Sequence, residues 1–203
     1  ERPAGLSVDV EQDAGKGGLS ELLQRLTGQR PMETPDPPRD FRGTLRPYQA
    51  RGLAWMNFLC RRGLGACLAD DMGLGKTVQT LALLSHLRET GECRAVLLAC
   101  PMSLIGNWLR EAQRFTPKLA VMAHHGATRL DGARLNAAIE GQTLVVTSYN
   151  TLLRDYAVLA RRHWAGVVLD EAQNIKNPAT RQSRAVRALQ ADFRLALTGT
   201  PVE

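Results

Sequence analysis

Asp70-Asp71-Met72-Gly73-Leu74-Gly75-Lys76-Thr77 stands between a short apolar run, Ala66 to Ala69, and a helical pattern carried by Val78, Leu81, Leu84 and Ser85. A glycine-rich turn between a strand and a helix gathers several main-chain N–H groups around one point, and the positive end of the helix dipole adds to their field. Such a cradle suits a polyphosphate. Lys76 sets a cation against the β and γ phosphates, and the Thr77 hydroxyl supplies a ligand for Mg²⁺. The general phosphate-loop pattern has Gly where this chain has Asp70, so the loop on its own leaves an ordinary tight turn open.

A second motif narrows the choice. Leu169-Asp170-Glu171-Ala172 closes the apolar run Val167-Val168-Leu169, which reads as a buried strand. Acidic residues at the end of such a strand lie on the C-terminal edge of a parallel sheet, the edge that also carries a phosphate loop. Asp170 then holds Mg²⁺, directly or through water, and Glu171 polarises the attacking water. The alternative is an acidic helix N-terminus, where Asp and Glu are favoured by the dipole. The two motifs together, in this order, favour a nucleoside triphosphate site.

Size and composition bound the rest. With 203 residues and 44% hydrophobic side chains, the chain is one large domain, or one domain with an appendage, and has enough apolar matter for a packed core. No apolar run approaches the ~20 residues that span a bilayer, so no membrane partner is expected. The polar start, Glu1-Arg2-Pro3, has no signal-peptide pattern and no initiator Met, which reads as a piece excised from a longer chain. Cys60, Cys67, Cys93 and Cys100 form no Cys-x-x-Cys pair and read as buried free thiols of a reducing cytoplasm. His86, His124, His125 and His163 have no metal-ligand spacing. The net charge of +6 is compatible with phosphate-backbone contacts without establishing them.

Along the chain, residues 1–42 read as an appendage. Leu19, Leu22, Leu23 and Leu26 fall on one face of a short helix with Ser20 as cap and Glu21 in its first turn. Pro31, Pro35, Pro37 and Pro38 then make an extended linker. From residue 43 to 203, apolar runs alternate with helical patterns. Helices are predicted over 47–61, 77–88, 103–114, 129–140, 151–162 and 179–190. Strands are predicted over 66–69, 94–100, 119–124, 143–147, 166–169 and 193–197. This alternation implies an α/β fold, a mostly parallel sheet with helices on both faces. The strands lack period-two alternation, as expected when both faces are covered.

Several segments in order resemble one family. They are Leu45-Arg46-Pro47-Tyr48-Gln49, the Asp70–Thr77 loop, Pro101-Met102-Ser103-Leu104 with Asn107-Trp108, Thr147-Ser148-Tyr149, Asp170-Glu171-Ala172-Gln173 continuing to Asn177, and Leu197-Thr198-Gly199-Thr200-Pro201. Together they resemble the Swi/Snf family of superfamily-two helicase-like ATPases over residues 43–203. Gln173, where many members have His, resembles the bacterial branch. The Asp at position 70 is normal for that family.

The resemblance implies a RecA-like P-loop lobe that binds ATP and Mg²⁺. Gln49 corresponds to the glutamine that reads the adenine edge, an amide that donates and accepts at once. Met72, Gly73, Leu74, Gly75, Lys76, Thr77 and Val78 correspond to the phosphate loop, Thr77 and Asp170 to the metal ligands, and Lys76, Asp170 and Glu171 to the catalytic set. Gln173, Thr198, Gly199 and Thr200 correspond to residues that couple nucleotide state to motion. Ser103, Asn107, Thr147, Ser148 and Tyr149 correspond to segments facing the backbone of duplex DNA, contacts suited to sequence-independent tracking. Read singly, each of those five is equally a cap or turn residue, and Trp108 reads as core rather than as a base-stacking platform.

The family works with two lobes, ATP lying in the cleft between them. Residues 1–203 hold one, so the second lobe is an expected partner, with an unidentified protein target and a cytoplasmic, nucleoid-associated setting. A missing arginine finger costs ~10³–10⁵ in rate. The 203 residues alone are therefore expected to bind nucleotide weakly and to hydrolyse it negligibly. The competing readings are another P-loop NTPase and a degenerate nucleotide- or DNA-binding platform.

Overall fold

The structure, a computed structural model, describes residues 23–25, 27, 29–91 and 94–199. By its contacts the chain falls into two units, Glu1–Glu33 and Thr34–Glu203. In the first, residues 23–25 are helical and the Thr27 amide donates to Leu23 O at 2.8 Å. Leu23, expected on an apolar face, is 52% exposed. Leu19, Ser20, Glu21, Leu22 and Leu26 lie outside the described residues.

The larger unit begins inside the proline-rich segment. Residues 31–38 have neither helix nor strand, yet the end of the segment is anchored. Asp40 pairs with Lys118 at 2.6 Å and Arg88 at 3.6 Å, Phe41 stacks on Phe115, and the Arg42 amide donates to Phe115 O at 2.7 Å. These contacts place residues 34–42 with the second unit although their composition is that of a linker.

Six strands form one sheet: β1 (Ala66–Leu68), β2 (Val96–Cys100), β3 (Val121–His124), β4 (Leu144–Ser148), β5 (His163–Asp170) and β6 (Gln190–Leu197). Their order is β1-β6-β5-β2-β4-β3, and every pairing is parallel. The helices are α1 (Pro47–Cys60), α2 (Lys76–Glu89), α3 (Ile105–Phe115), α4 (Gly132–Ile139), α5 (Tyr149–Arg154), α6 (Tyr156–Leu159) and α7 (Arg181–Ala188), with short 3₁₀ turns at Met102–Leu104 and Ala172–Ile175.

Every residue of β2 and β4 is buried, which is why β2 is a continuous apolar run and β4 is one up to Thr147 and Ser148 at its end. Leu97, Ala99, Val145 and Val167 pack with Leu135 and Ile139 of α4, Leu152 of α5 and Val186 of α7. The other face is covered by α1, α2 and α3, which pack on one another in that order. Leu81 to Leu84 of α2 are fully buried because α2 has a helix on each side and the sheet beneath. Each such leucine contributes roughly 1.5–3 kcal/mol by leaving water. Gly166 lets β5 pass under the Phe193 ring: a Cβ there would lie 2.2 Å from it.

Several local expectations change: β5 and β6 each begin three residues earlier than expected, at His163 and Gln190, and α7 ends at Ala188. The helix expected over 151–162 starts earlier, at Tyr149, because the Ser148 hydroxyl caps it by accepting from the Thr151 amide. It also breaks at Asp155, whose carboxylate binds Arg129 and His124. Cys60 and Cys100 are buried free thiols, whereas Cys67 is exposed, since it is the outward-facing middle residue of edge strand β1. Cys93 lies outside the described residues. Among the described residues, no helix is long and apolar enough to cross a membrane.

Candidate functional site

The C-terminal ends of β1, β6 and β5 are in register. Leu68 is paired with Leu197, and Leu197 with Asp170. The loop after β1, the acidic pair after β5 and the Thr198–Gly199 segment after β6 therefore emerge on one edge of the sheet. The Thr198 amide donates to Leu68 O at 3.1 Å and ties the outer two strands together there.

Gly73 and Gly75 turn the phosphate loop at φ +84° and +82°. Gly75 opens α2, and a Cβ on it would lie 2.5 Å from Gln49 Nε2. Lys76 Nζ donates to Asp70 O at 2.6 Å and Asp71 O at 3.0 Å, so the ammonium sits inside its own loop. Asp70 Oδ2 accepts from Nε2 of the buried Gln79 at 3.0 Å. Asp70, the departure from the general pattern, is thus a strut between the loop and α2. Met72 is 80% exposed, and its Cγ would lie 2.9 Å from a Cβ on Gly199. Leu74 is exposed, whereas Thr77 and Val78 are half-buried in the first turn of α2.

Gln49 sits where α1 meets this loop. Its Oε1 accepts from the Arg46 amide at 2.9 Å and its Nε2 donates to Leu74 O at 3.0 Å, while the Tyr48 hydroxyl donates to the same carbonyl at 3.0 Å. The amide both caps α1 and holds the loop, roles that its correspondence to an adenine-reading residue did not suggest.

Asp170 is buried, and three donors hold it. Trp108 Nε1–H reaches Oδ2 at 2.8 Å, the Glu171 amide reaches Oδ1 at 3.0 Å, and the Tyr149 hydroxyl reaches the main-chain oxygen at 2.8 Å. Burial raises its pKa above the carboxylate value. The Trp108 bond opposes that rise, the Glu171 charge adds to it, and Lys76 opposes it. The reach of the Lys76 charge to Asp170 is the electrostatic counterpart of the strand register.

Glu171 has φ +51° and ψ +52°, the left-handed region, alone among the described non-glycine residues. Such backbone costs roughly 1–2 kcal/mol and persists only where its surroundings impose it. Here the Asn174 amide and side chain both donate to Glu171 O, at 3.0 and 2.8 Å. Glu171 Oε2 accepts from Gln173 Nε2 at 2.5 Å, and Gln173 Oε1 accepts from Thr198 Oγ1 at 2.8 Å. Thr200 lies outside the described residues.

The residues expected along a DNA backbone divide. Ser103 is exposed and Asn107 half-buried beyond the end of β2. Thr147, Ser148 and Tyr149 are buried, and their hydroxyls donate to His124 O, Thr151 Oγ1 and Asp170 O respectively. Their side chains do not face solvent. Sequence reasoning missed Trp108 as a partner of the acidic pair. The available signal was that a buried indole N–H needs an acceptor.

Hard oxygen donors suit Mg²⁺, which takes one or two protein carboxylates and completes its shell with water and phosphate oxygens. Asp170, with the Thr77 hydroxyl in the first turn after the loop, is such a set. No group of three or more His, Cys, Asp or Glu side chains poised for a metal exists among the described residues. A hollow of about 690 Å³ lies at the opposite edge of the sheet, lined by Arg88, Arg94, Arg161, Arg162 and Glu140 among others, and none of the nucleotide-site residues borders it.

The family model for the SNF2-related domain matches residues 48–203. This chain belongs to the SNF2-related, or Swi/Snf, family. It is 43% identical over 201 residues to the putative ATP-dependent helicase/translocase YwqA of Bacillus subtilis, covering 98% of this chain and 21% of that protein. It is 34% identical over 200 residues to Helicase SWR1 of Debaryomyces hansenii, covering 97% of this chain and 12% of that one. The Sulfolobus solfataricus SWI2/SNF2 ATPase core in complex with dsDNA superposes with a TM-score of 0.75 at 41% identity, over 83% of this chain and 34% of that one. The SNF2 chain thus spans about a fifth or less of these curated relatives. The family is one of helicase-like ATPases, and the all-parallel sheet is the RecA-like fold of its ATPase core.

Proposed function

We propose that this chain is the first ATPase lobe of a DNA-stimulated translocase that tracks duplex DNA and remodels what is bound to it. The observation that carries the reading is the convergence of Lys76 with Asp170 and Glu171 on one sheet edge, through the in-register ends of β1, β6 and β5. Main-chain N–H groups of Gly73 to Thr77 receive the phosphates, and the Lys76 ammonium exchanges its loop carbonyls for phosphate oxygens. Thr77 and Asp170 would hold Mg²⁺, which when bound would supply charge neutralisation to the triphosphate. Glu171 orients and polarises the attacking water, and its link through Gln173 to Thr198 reports the state of that carboxylate to the loop after β6. Gln49 joins the nucleotide side from its place against Leu74.

Duplex DNA is the partner favoured by the dsDNA complex of the Sulfolobus relative. Ser103 and Asn107 offer polar side chains to its backbone, while Thr147, Ser148 and Tyr149 shape that edge from within. A second lobe supplies the remaining phosphate contacts, so the 203 residues alone turn over ATP negligibly. The test is ATP hydrolysis by the full-length protein and by this chain, each with and without duplex DNA. Stimulation of the full-length protein alone is the expected result. DNA-independent turnover would favour another kind of P-loop enzyme, and no turnover a degenerate platform.

A further inference from the structure

Trp108 is 1% exposed, and its indole N–H has a single acceptor, Oδ2 of Asp170, 2.8 Å away and 62 residues along the chain. A buried indole that only filled space would be content with any carbonyl, as Trp164 is with Leu159 O at 3.0 Å. Trp108 instead spends its donor on a buried carboxylate at the sheet edge. We infer that Trp108 is a positioning residue for the metal site, its indole fixing the plane of the Asp170 carboxylate so that the remaining lone pairs face the phosphate loop.

The arrangement around Asp170 supports this. With Oδ1 taken by the Glu171 amide and Oδ2 by the indole, the carboxylate cannot rotate without breaking a charge-assisted bond. Tyr149 fixes the main chain of the same residue from a different helix. Outer-shell donors of this kind orient a ligating carboxylate, and losing one typically costs about 10- to 100-fold in metal affinity. Trp108 comes from α3, the helix that follows Ser103 and carries Asn107, so the same helix bears one of the polar groups offered to DNA and the clamp on the acidic pair.

The inference rests on the reading of Asp170 as a magnesium ligand, and its test separates the two. In the full-length protein, position 108 is replaced site-specifically by benzothienylalanine, the tryptophan isostere with sulfur in place of N–H, and in parallel by Trp108→Phe. ADP binding is measured by calorimetry with and without Mg²⁺, together with the melting midpoint. The isostere is expected to weaken MgADP binding about tenfold or more and to leave metal-free ADP binding unchanged, while the lost buried hydrogen bond lowers the melting midpoint by only a few degrees. Equal MgADP affinity in isostere and wild type would overturn the inference, as would a parallel loss of both affinities, which marks a purely structural role. If wild type binds ADP equally with and without Mg²⁺, the metal reading of Asp170 fails first and takes the inference with it.

Discussion

Thr198 Oγ1 donates to Gln173 Oε1 at 2.8 Å across 25 residues of chain, and the same amide turns its nitrogen to Glu171 Oε2. The amide is a two-ended connector: it cannot leave Glu171 without altering its bond to the loop after β6. Thr198→Val keeps the shape and removes the donor. The expected result is nucleotide affinity within about twofold of wild type and DNA-stimulated turnover lower by roughly 2- to 30-fold, the range for mutations along a coupling path. Steady-state hydrolysis and nucleotide binding on the same preparation decide it. Unchanged stimulation would remove Thr198 from the connection.

Lys76 and Glu171 separate binding from turnover. Lys76→Ala removes the cation and two bonds to Asp70 O and Asp71 O, so the loop loses both its charge and its internal tie. ATP affinity is expected to fall at least tenfold. Glu171→Gln keeps size and the capacity to meet Gln173 but removes the charge that polarises water in the proposed function, so binding is expected to persist and turnover to be abolished. Binding measured by calorimetry beside a hydrolysis assay distinguishes the two. Normal turnover in Glu171→Gln would take that residue out of its role.

Much of this architecture was legible because burial on both faces leaves a plain signature. Val96–Cys100 and Leu144–Val146 have no polar residue to interrupt them, and helical patterns fill the gaps between such runs. Helix interruptions were not legible. Asp155 looks like an ordinary helix residue until Arg129 and His124, which lie upstream in the chain, claim its carboxylate. The site divides along the same line. The loop and the Asp170–Glu171 pair declare themselves by local residue type, but the donors Trp108, Tyr149 and Gln49 come from elements that only the fold brings near. The left-handed backbone of Glu171 has no sequence signal either, because non-glycine residues at positive φ are held there by their surroundings.

Gly75 and Gly73 both have positive φ, yet they should respond differently to alanine. A Cβ at Gly73 meets nothing within 4 Å, whereas one at Gly75 lies 2.5 Å from Gln49 Nε2, an atom already held by Leu74 O. Gly73→Ala carries only the conformational cost of about 1–2 kcal/mol. That corresponds to a fall in melting midpoint of roughly 2–8 °C for a domain of this size. Gly75→Ala adds the collision and the loss of the Gln49 latch, so its midpoint should fall further and nucleotide affinity should fall with it. Thermal unfolding of the two variants side by side is the measurement. Equal shifts would mean that Gln49 yields at no cost.

His124 links stability to pH. It is buried, with Nε2 2.9 Å from Asp155 Oδ2 and Nδ1 without a partner. Burial holds its pKa below the ordinary 6.5; Asp155 pulls upward, while the charges of Arg129 and His125 push further down. The unfolded chain therefore takes up a proton that the folded chain resists, and stability falls as pH drops below about 6.5. Asp155 acts in a lower window. The Arg129 hydrogen bond, its largest influence, depresses its pKa below 3.8, so its contribution is present above that value and is lost as pH falls through the lowered one. The melting midpoint of the wild type should decline between pH 7 and pH 5, and His124→Gln should flatten that decline while leaving the further loss below pH 3.8. Two parallel curves over pH 5 to 7 would show that some other group carries the dependence.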